Sequence, residues 1–175
     1  MQIVKQKRVW CVLLTAVAAT LTGCGQGGLA GYQNSWLHPQ DISSVYVEMF
    51  DSGGFRRGYE FKLTDAVCKR IEAQSPYKIV SDRSLADSIL SGTVTAGSGV
   101  VAGDRYTGRP LEREAFVQVR VTWKNLKTGE LMLDNEIVYA SAGFSEQMGQ
   151  TFDSSAGAAL NKAAQKVVEL MEQPW

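Results

Sequence analysis

From Val117 to Lys124 the chain alternates strictly, with Val117, Val119, Val121 and Trp123 on one side and Gln118, Arg120, Thr122 and Lys124 on the other. Successive side chains of an extended strand point to opposite faces, so a period of two predicts a strand with one face in a core and one in water. Such a strand cannot stand alone. It needs neighbours for its backbone hydrogen bonds and an apolar layer over its valines. The nearest neighbour is downstream: Asn125 to Glu130 carries the turn signal Lys127-Thr128-Gly129, and Leu131 to Ala142 resumes strand character with Leu133, Ile137 and Tyr139. The pair predicts an antiparallel hairpin.

The covering layer comes from two helices. In Tyr59 to Ala73, Leu63, Val67 and Ile71 recur every four residues, with Phe61 and Cys68 on an adjoining stripe. Near the end of the chain, Asp153 or Ser154 can cap a helix whose inner positions are Ala156, Leu160, Ala163, Ala164, Val167 and Met171. Upstream, Val45, Val47 and Met49 alternate with Tyr46, Glu48 and Phe50, apolar on much of both faces, which predicts a central strand over Ser43 to Phe50. Tyr77 to Val80 and Ser88 to Ala96 read as further strands. The order β-α-β-β-β-α predicts an α+β two-layer sandwich: a four- to five-stranded mixed or antiparallel sheet with two helices on one face. Between the strands, Gly97 to Glu112 carries Gly97, Gly99, Gly103, Gly108 and Pro110 and reads as a long loop, the kind of segment where function concentrates.

The N-terminal stretch belongs to targeting rather than to the fold. Lys5, Lys7 and Arg8 precede a 13-residue, mostly apolar run, Val9 to Leu21, which has the form of a signal peptide and is shorter than the roughly 20 residues that span a bilayer. Leu21-Thr22-Gly23-Cys24 has the form of a bacterial lipobox, with cleavage before Cys24 and acylation of its thiol; an ordinary cleavage site is the other reading. Gly25, rather than Asp, follows Cys24, which under Gram-negative sorting rules directs the protein to the outer membrane, facing the periplasm. Residues 1–23 are therefore expected to be removed, 24–41 to form a lipid anchor and flexible tether, and 42–175 to form the domain. Tyr32, Trp36 and Leu37 interrupt the tether and are expected to dock on the domain or at the lipid interface.

Charge and chemistry exclude much of what remains. Losing Lys5, Lys7 and Arg8 leaves 15 of the 18 bases against 18 acids, so nothing general draws the domain to nucleic acid. Cys11 leaves with the signal and Cys24 is acylated, so Cys68 stays alone and is read as a small core residue. His38, the only histidine, stands beside Pro39 in the tether and supplies no placed general base. The carboxylate pairs Glu112 with Glu114 and Asp134 with Glu136 have the form of ordinary strand faces. No enzyme, metal or cofactor is expected.

Ser44-Val45-Tyr46-Val47-Glu48-Met49-Phe50, then Gly58-Tyr59-Glu60 with Leu63-Thr64 and Ile71, then Ala86-Asp87-Ser88-Ile89-Leu90-Ser91-Gly92 resemble the LptE family of lipopolysaccharide-assembly lipoproteins. The resemblance runs from Gly31-Tyr32 to the final helix. It implies a non-catalytic outer-membrane lipoprotein that plugs the lumen of the barrel translocon LptD, helps it assemble and contacts lipopolysaccharide. A plug needs a polar outer surface, and Gln118, Arg120, Thr122 and Lys124 would supply one, though a plain solvated sheet face has the same pattern. Lipid A carries phosphates, which arginine and lysine bind through charge-assisted hydrogen bonds. The candidates for that contact are Arg105, Arg109 and Arg113 in and beside the long loop, Lys124 and Lys127 at the hairpin tip, and Arg56-Arg57 before the first helix. A curli-secretion-like or penicillin-binding-protein activator-like module, acting on another envelope partner such as a soluble periplasmic synthase, shares the same opening of strand, helix and Ala-Asp-x-x-Leu-x-Gly strand and is the alternative.

Overall fold

The computed structural model describes residues 37–172. The alternating segment lies in β5 (Pro110–Asn125), between β4 (Ser88–Gly103) and β6 (Leu131–Phe144) and antiparallel to both. Its phase is the one the alternation predicts: Val117, Val119, Val121 and Trp123 are buried, while Arg120 and Lys124 are exposed on the other face. β1 (Ser44–Val47) runs parallel to β4, and β3 (Lys78–Ile79) runs parallel to β1. A two-residue β2 (Asp51–Ser52) pairs with Thr93 and Val94 of β4. The mixed sheet has the order β3-β1-β4-β5-β6 with β2 off this path, one short strand more than expected.

α1 (Tyr59–Gln74) and α2 (Phe152–Leu170) share one hydrophobic core with this sheet, so the fold is the α+β two-layer sandwich. Leu63, Val67 and Ile71 of α1 are fully buried, at about 1.5–3 kcal/mol of transfer free energy each. α2 turns Ala156, Ala159, Ala163 and Ala164 inward; these small side chains let its backbone approach β5 and β6 closely. Its N-cap is Thr151, whose hydroxyl accepts the Ser154 N–H at 3.3 Å. The cap therefore falls before the expected Asp153 or Ser154, which lie in the first turn of the helix, where the Asp153 carboxylate accepts from the Tyr59 hydroxyl.

Three apolar residues depart from their expected sides. Phe61 is 60% exposed, since α1 rests on the narrow stripe of Leu63, Val67 and Ile71 and its next face is in water. The first strand ends at Val47, and its period slips in the break before β2: Met49 is exposed and Phe50 is buried. The slip turns the Phe50 ring into the core, with its backbone N–H donated to Thr64 Oγ1 of α1 at 3.2 Å. Cys68 is free and half-buried, and its thiol is pushed up first by burial and then by Glu72 and Asp65, which disfavours the thiolate.

The expected loop over Gly97 to Glu112 is instead mostly strand. β4 and β5 stay paired from Ser88 with Asn125 out to Gly103 with Pro110, leaving a turn of residues 104–109. Glycine weakens a strand by offering no side chain, yet the ladder is made by backbone groups that glycine retains. At Gly97 the missing side chain is required: a Cβ there would collide with the cross-strand Phe116 ring. β6 accompanies β5 only to the pair Arg113 with Phe144, so residues 101–112 project past the sheet as a two-stranded arm.

At the opposite end of the sheet the chain is already packed from Leu37 onward. His38, read from sequence as a tether residue, is 2% exposed. Its ring meets Tyr77 edge-on at 5.3 Å, and Tyr77 meets Trp123 at 5.7 Å. The Asp41 carboxylate accepts from Asn125 Nδ2 (2.8 Å), and Lys127 Nζ donates to the Asp41 carbonyl (3.3 Å) and pairs with Asp87 (2.7 Å). Asp87 also accepts the N–H groups of Ser43 and Ser44 at 2.8 and 3.1 Å. Of the remaining tether features, Cys24, Tyr32 and Trp36 lie outside the described residues, and Leu37 is half-buried.

This clamp carries a pH dependence. The Lys127 ammonium, together with the Ser43 N–H, lowers the Asp87 carboxyl to about 2. A depressed acid stabilises the fold above its unfolded pKa of about 3.9, and that contribution disappears as pH falls through the folded value. Asp87→Asn is expected to cost about 1–2 kcal/mol at neutral pH. In thermal melts the gap between wild type and variant should shrink between about pH 4 and pH 2; a gap constant across that window would remove Asp87 as its source.

Candidate functional site

The arm ends in a built turn. Asp104 Oδ1 accepts the N–H groups of Tyr106 (2.7 Å) and Thr107 (3.3 Å), and the Asp104 N–H donates to the Arg109 carbonyl (2.9 Å). Gly108 closes the turn in the left-handed region at φ +67°, where a side chain is disfavoured. The N–H of Tyr106 chiefly, then Thr107, holds the Asp104 carboxyl below its ordinary value. The Asp104 charge is thus engaged by the turn's own backbone. Arg105 and Arg109 stand exposed beside it and form no ion pair with any described residue. Tyr106 between them is 100% exposed.

At the base of the arm, cations are set on aromatic rings. The Arg56 guanidinium lies 4.1 Å over the Phe152 ring, Phe152 meets Phe144 edge-on at 6.2 Å, and Arg113 lies 5.9 Å from the Phe144 ring. Stacking on an aromatic face orients a guanidinium without using up its hydrogen-bond donors. Arg113 Nη1 is paired with Glu146 at 2.8 Å, and its Nε is buried with no acceptor among the described residues. Tyr59 packs edge-on to Phe152, and its hydroxyl is raised by burial first and by Asp153 second. Arg57 is exposed one residue from Arg56.

The structure therefore splits the basic residues picked from sequence. Arg113 and Arg56 share the base of the arm, Arg57 adjoins Arg56, and Arg105 and Arg109 occupy the arm's tip. Lys124 and Lys127 are at the other end of β5, about 50 Å from Arg109 at roughly 3.3 Å per residue. Lys127 is committed to Asp87 and the Asp41 carbonyl. One phosphorylated headgroup cannot reach both ends, so the lysines and the arm arginines cannot serve a single headgroup together.

What sequence reasoning missed is the arm's apolar shaft. Val100, Val101 and Leu111 are exposed at 60%, 58% and 44%, so cations at the tip stand on an aliphatic stem. The adjacent valines between two glycines were the available signal. An anion carrying an apolar body fits such a stem better than a free inorganic anion, because both halves of the ligand find a partner. Among the described residues no helix is long and apolar enough to cross a membrane.

A family model described as LptE, lipopolysaccharide-assembly, matches residues 42–173. Among solved structures, lipoprotein B from Nitrosomonas europaea aligns with a TM-score of 0.55 at 12% identity, covering 77% of this chain and 82% of that one. Rare lipoprotein B from Shewanella oneidensis aligns with a TM-score of 0.50 at 14% identity, covering 74% of this chain and 93% of that one. At such identities the likeness is one of fold. Nothing among curated proteins matches the sequence.

Proposed function

Because the chain belongs to the LptE family of lipopolysaccharide-assembly proteins, we propose that it is an outer-membrane lipoprotein that plugs and helps to assemble an LptD-like β-barrel. Cys24 carries the lipid anchor, and the domain faces the periplasm and the barrel lumen. The family match over residues 42–173 is the observation that carries this reading. The family's role is non-catalytic assembly, and this chain is proposed to have no enzymatic activity.

The physical case for a plug is the uncovered face of the sheet. Both helices lie on one face, so the other presents Arg120 and Lys124 beside Phe116, Ile137 and Tyr139. A mixed surface of this kind suits the polar interior of a barrel better than lipid. Arg105 and Arg109 are proposed to meet the phosphates of lipid A, and Val100, Val101 and Leu111 the apolar part of the glycolipid.

The deciding experiment is a pull-down of the tagged, lipidated protein from its native outer membrane in detergent, with co-purifying chains identified by mass spectrometry. A stoichiometric LptD-like barrel is expected; a soluble envelope enzyme in its place would overturn the reading. For the arm, the double variant Arg105→Glu, Arg109→Glu is expected to weaken lipopolysaccharide binding about tenfold or more, since a charged hydrogen bond is worth about 1.5–3 kcal/mol. Both residues are exposed, so the melting temperature should stay put. Unchanged affinity would exclude the arm tip from the contact.

A further inference from the structure

A second basic cluster lies away from the arm, where α2 reaches the edge of β6. Lys166 Nζ donates to the Tyr139 carbonyl (2.7 Å) and Lys162 Nζ to the Ser141 carbonyl (3.0 Å). Tyr139 and Ser141 stand opposite Gln118 and Phe116 of β5, in one phase of the ladder, so their carbonyls repeat along the strand after two residues, about 7 Å. A lysine on a helix surface ordinarily carries its charge on a flexible stem. These two are tied, with their ammonium groups about one such repeat apart. Each ammonium has three N–H donors and spends one on its carbonyl, which leaves two. Neither lysine forms an ion pair with any described residue.

Lys162 and Lys166 line a groove of about 450 Å³ together with Glu114, Phe116, Tyr139 and Ser141, a volume within the roughly 300–1,000 Å³ of small-ligand sites. Its aromatic rings are open to solvent, Tyr139 at 58% and Phe116 at 38%. The Phe116 ring is packed against Gly97, where a Cβ would collide with it, so it is held in place as a floor. The Glu114 carboxylate and the hydroxyls of Tyr139 and Ser141 have no hydrogen-bond partner among the described residues. Phe116 is seven residues from Arg109, about 23 Å along an extended chain, so the groove is separate from the arm tip.

We propose that this groove binds a phosphorylated sugar, with the phosphate between Lys162 and Lys166. Two like charges fixed this close repel each other, and an anion between them turns that repulsion into attraction. A phosphate taking a charged hydrogen bond of about 2.8 Å to each side bridges the gap. Four free N–H donors and two positive charges match a phosphate monoester, with its three terminal oxygens and nearly two negative charges, better than a carboxylate with two oxygens and one. Phosphate alone would leave the rest of the groove idle, and Glu114 requires a donor rather than a second anion. A sugar ring supplies what is missing: hydroxyls for Glu114, Tyr139 and Ser141, and a C–H face for the rings of Phe116 and Tyr139. The site stands on residues outside the arm and is independent of which protein partner the chain serves. A sugar phosphate occurs both free and as the head of a glycolipid, and the groove recognises the chemistry the two share.

The test titrates the full, isotope-labelled chain in detergent with N-acetylglucosamine 1-phosphate, N-acetylglucosamine and inorganic phosphate, followed by NMR. The sugar phosphate should shift the amides of residues 139–141 and bind at least tenfold more tightly than either fragment. Lys162→Gln with Lys166→Gln should weaken it tenfold or more, and both positions are exposed, so their two carbonyls return to water. Tyr139→Ser should weaken the sugar phosphate and leave inorganic phosphate unchanged; this variant carries the test if the lysine pair does not fold. Lipid A in mixed micelles, with phosphatidylglycerol as the sugar-free control, separates the two sources. A lysine-dependent affinity above that of the soluble probe places the ligand on a lipid, and one no higher places it in solution. Inorganic phosphate binding as tightly as the sugar phosphate overturns the proposal. So does equal binding by wild type and the folded lysine variant, or a set of shifted amides that omits residues 139–141.

Discussion

Val119→Asp should leave the domain without a cooperative thermal transition. Val119 is fully buried at the centre of the sheet, paired with Val94 of β4 on one side and Val138 of β6 on the other. All three belong to the core cluster that α2 covers with Ala156, Ala159, Leu160 and Ala163. No cation lies among these neighbours. An unpaired carboxylate in such a place costs several kcal/mol even after relaxation or protonation, against a whole-domain stability of about 5–15 kcal/mol. Val119→Ala, which leaves only a cavity, is expected to cost about 2–3 kcal/mol and to keep a sharp melt. The contrast separates a buried charge from lost packing. Circular dichroism melts of the two variants read it directly, and an unchanged melt of the Asp variant would show that the phase of β5 is wrong.

Cys24→Ala should abolish lipid labelling altogether and leave a precursor longer by the 23 residues of the leader. On the lipobox reading proposed for Cys24, the diacylglyceryl group attaches to the thiol, and cleavage and the later amide-linked chain depend on that attachment. At about 0.8 kcal/mol per buried methylene, several chains make a durable anchor and none makes no anchor. Labelling with radioactive palmitate, with precursor and mature chain separated by size, checks both parts. Normal labelling of the variant would remove Cys24 as the acylation site.

Much of the fold was legible because periodicity is local. The valines of β5, the four-residue spacing in α1 and the alanine-rich face of α2 each state in a few residues which side goes inward, and the structure buries those sides. The misreadings share a cause. Gly97 to Glu112 looked like a loop because its glycines carry no side-chain pattern, yet the partner strand that orders them begins at Pro110, and the Phe116 ring over Gly97 is invisible until the two strands are aligned. Met49 and Phe50 exchanged sides because the strand breaks before β2. His38 looked like tether because Tyr77 and Trp123, against which it packs, are far along the chain.

The candidate site was half legible. Residue type marked the cations, but type cannot say which of them share a neighbourhood. Arg56 and Arg113 meet at the base of the arm through Phe152 and Phe144, contributed by α2 and β6. Lys127 was claimed by Asp87, a residue that sequence order places before the whole arm. By itself, then, the sequence determined the family, the two-layer architecture and the inward face of most regular elements, because all of these are written in short-range pattern. Only the tertiary structure decided that a glycine-rich stretch is an arm, that its arginines stand apart from the lysines, and that Lys162 and Lys166 of α2 reach the carbonyls of β6. Those outcomes depend on backbone groups and side chains brought together from distant parts of the chain, and periodicity carries no record of which partner a residue meets.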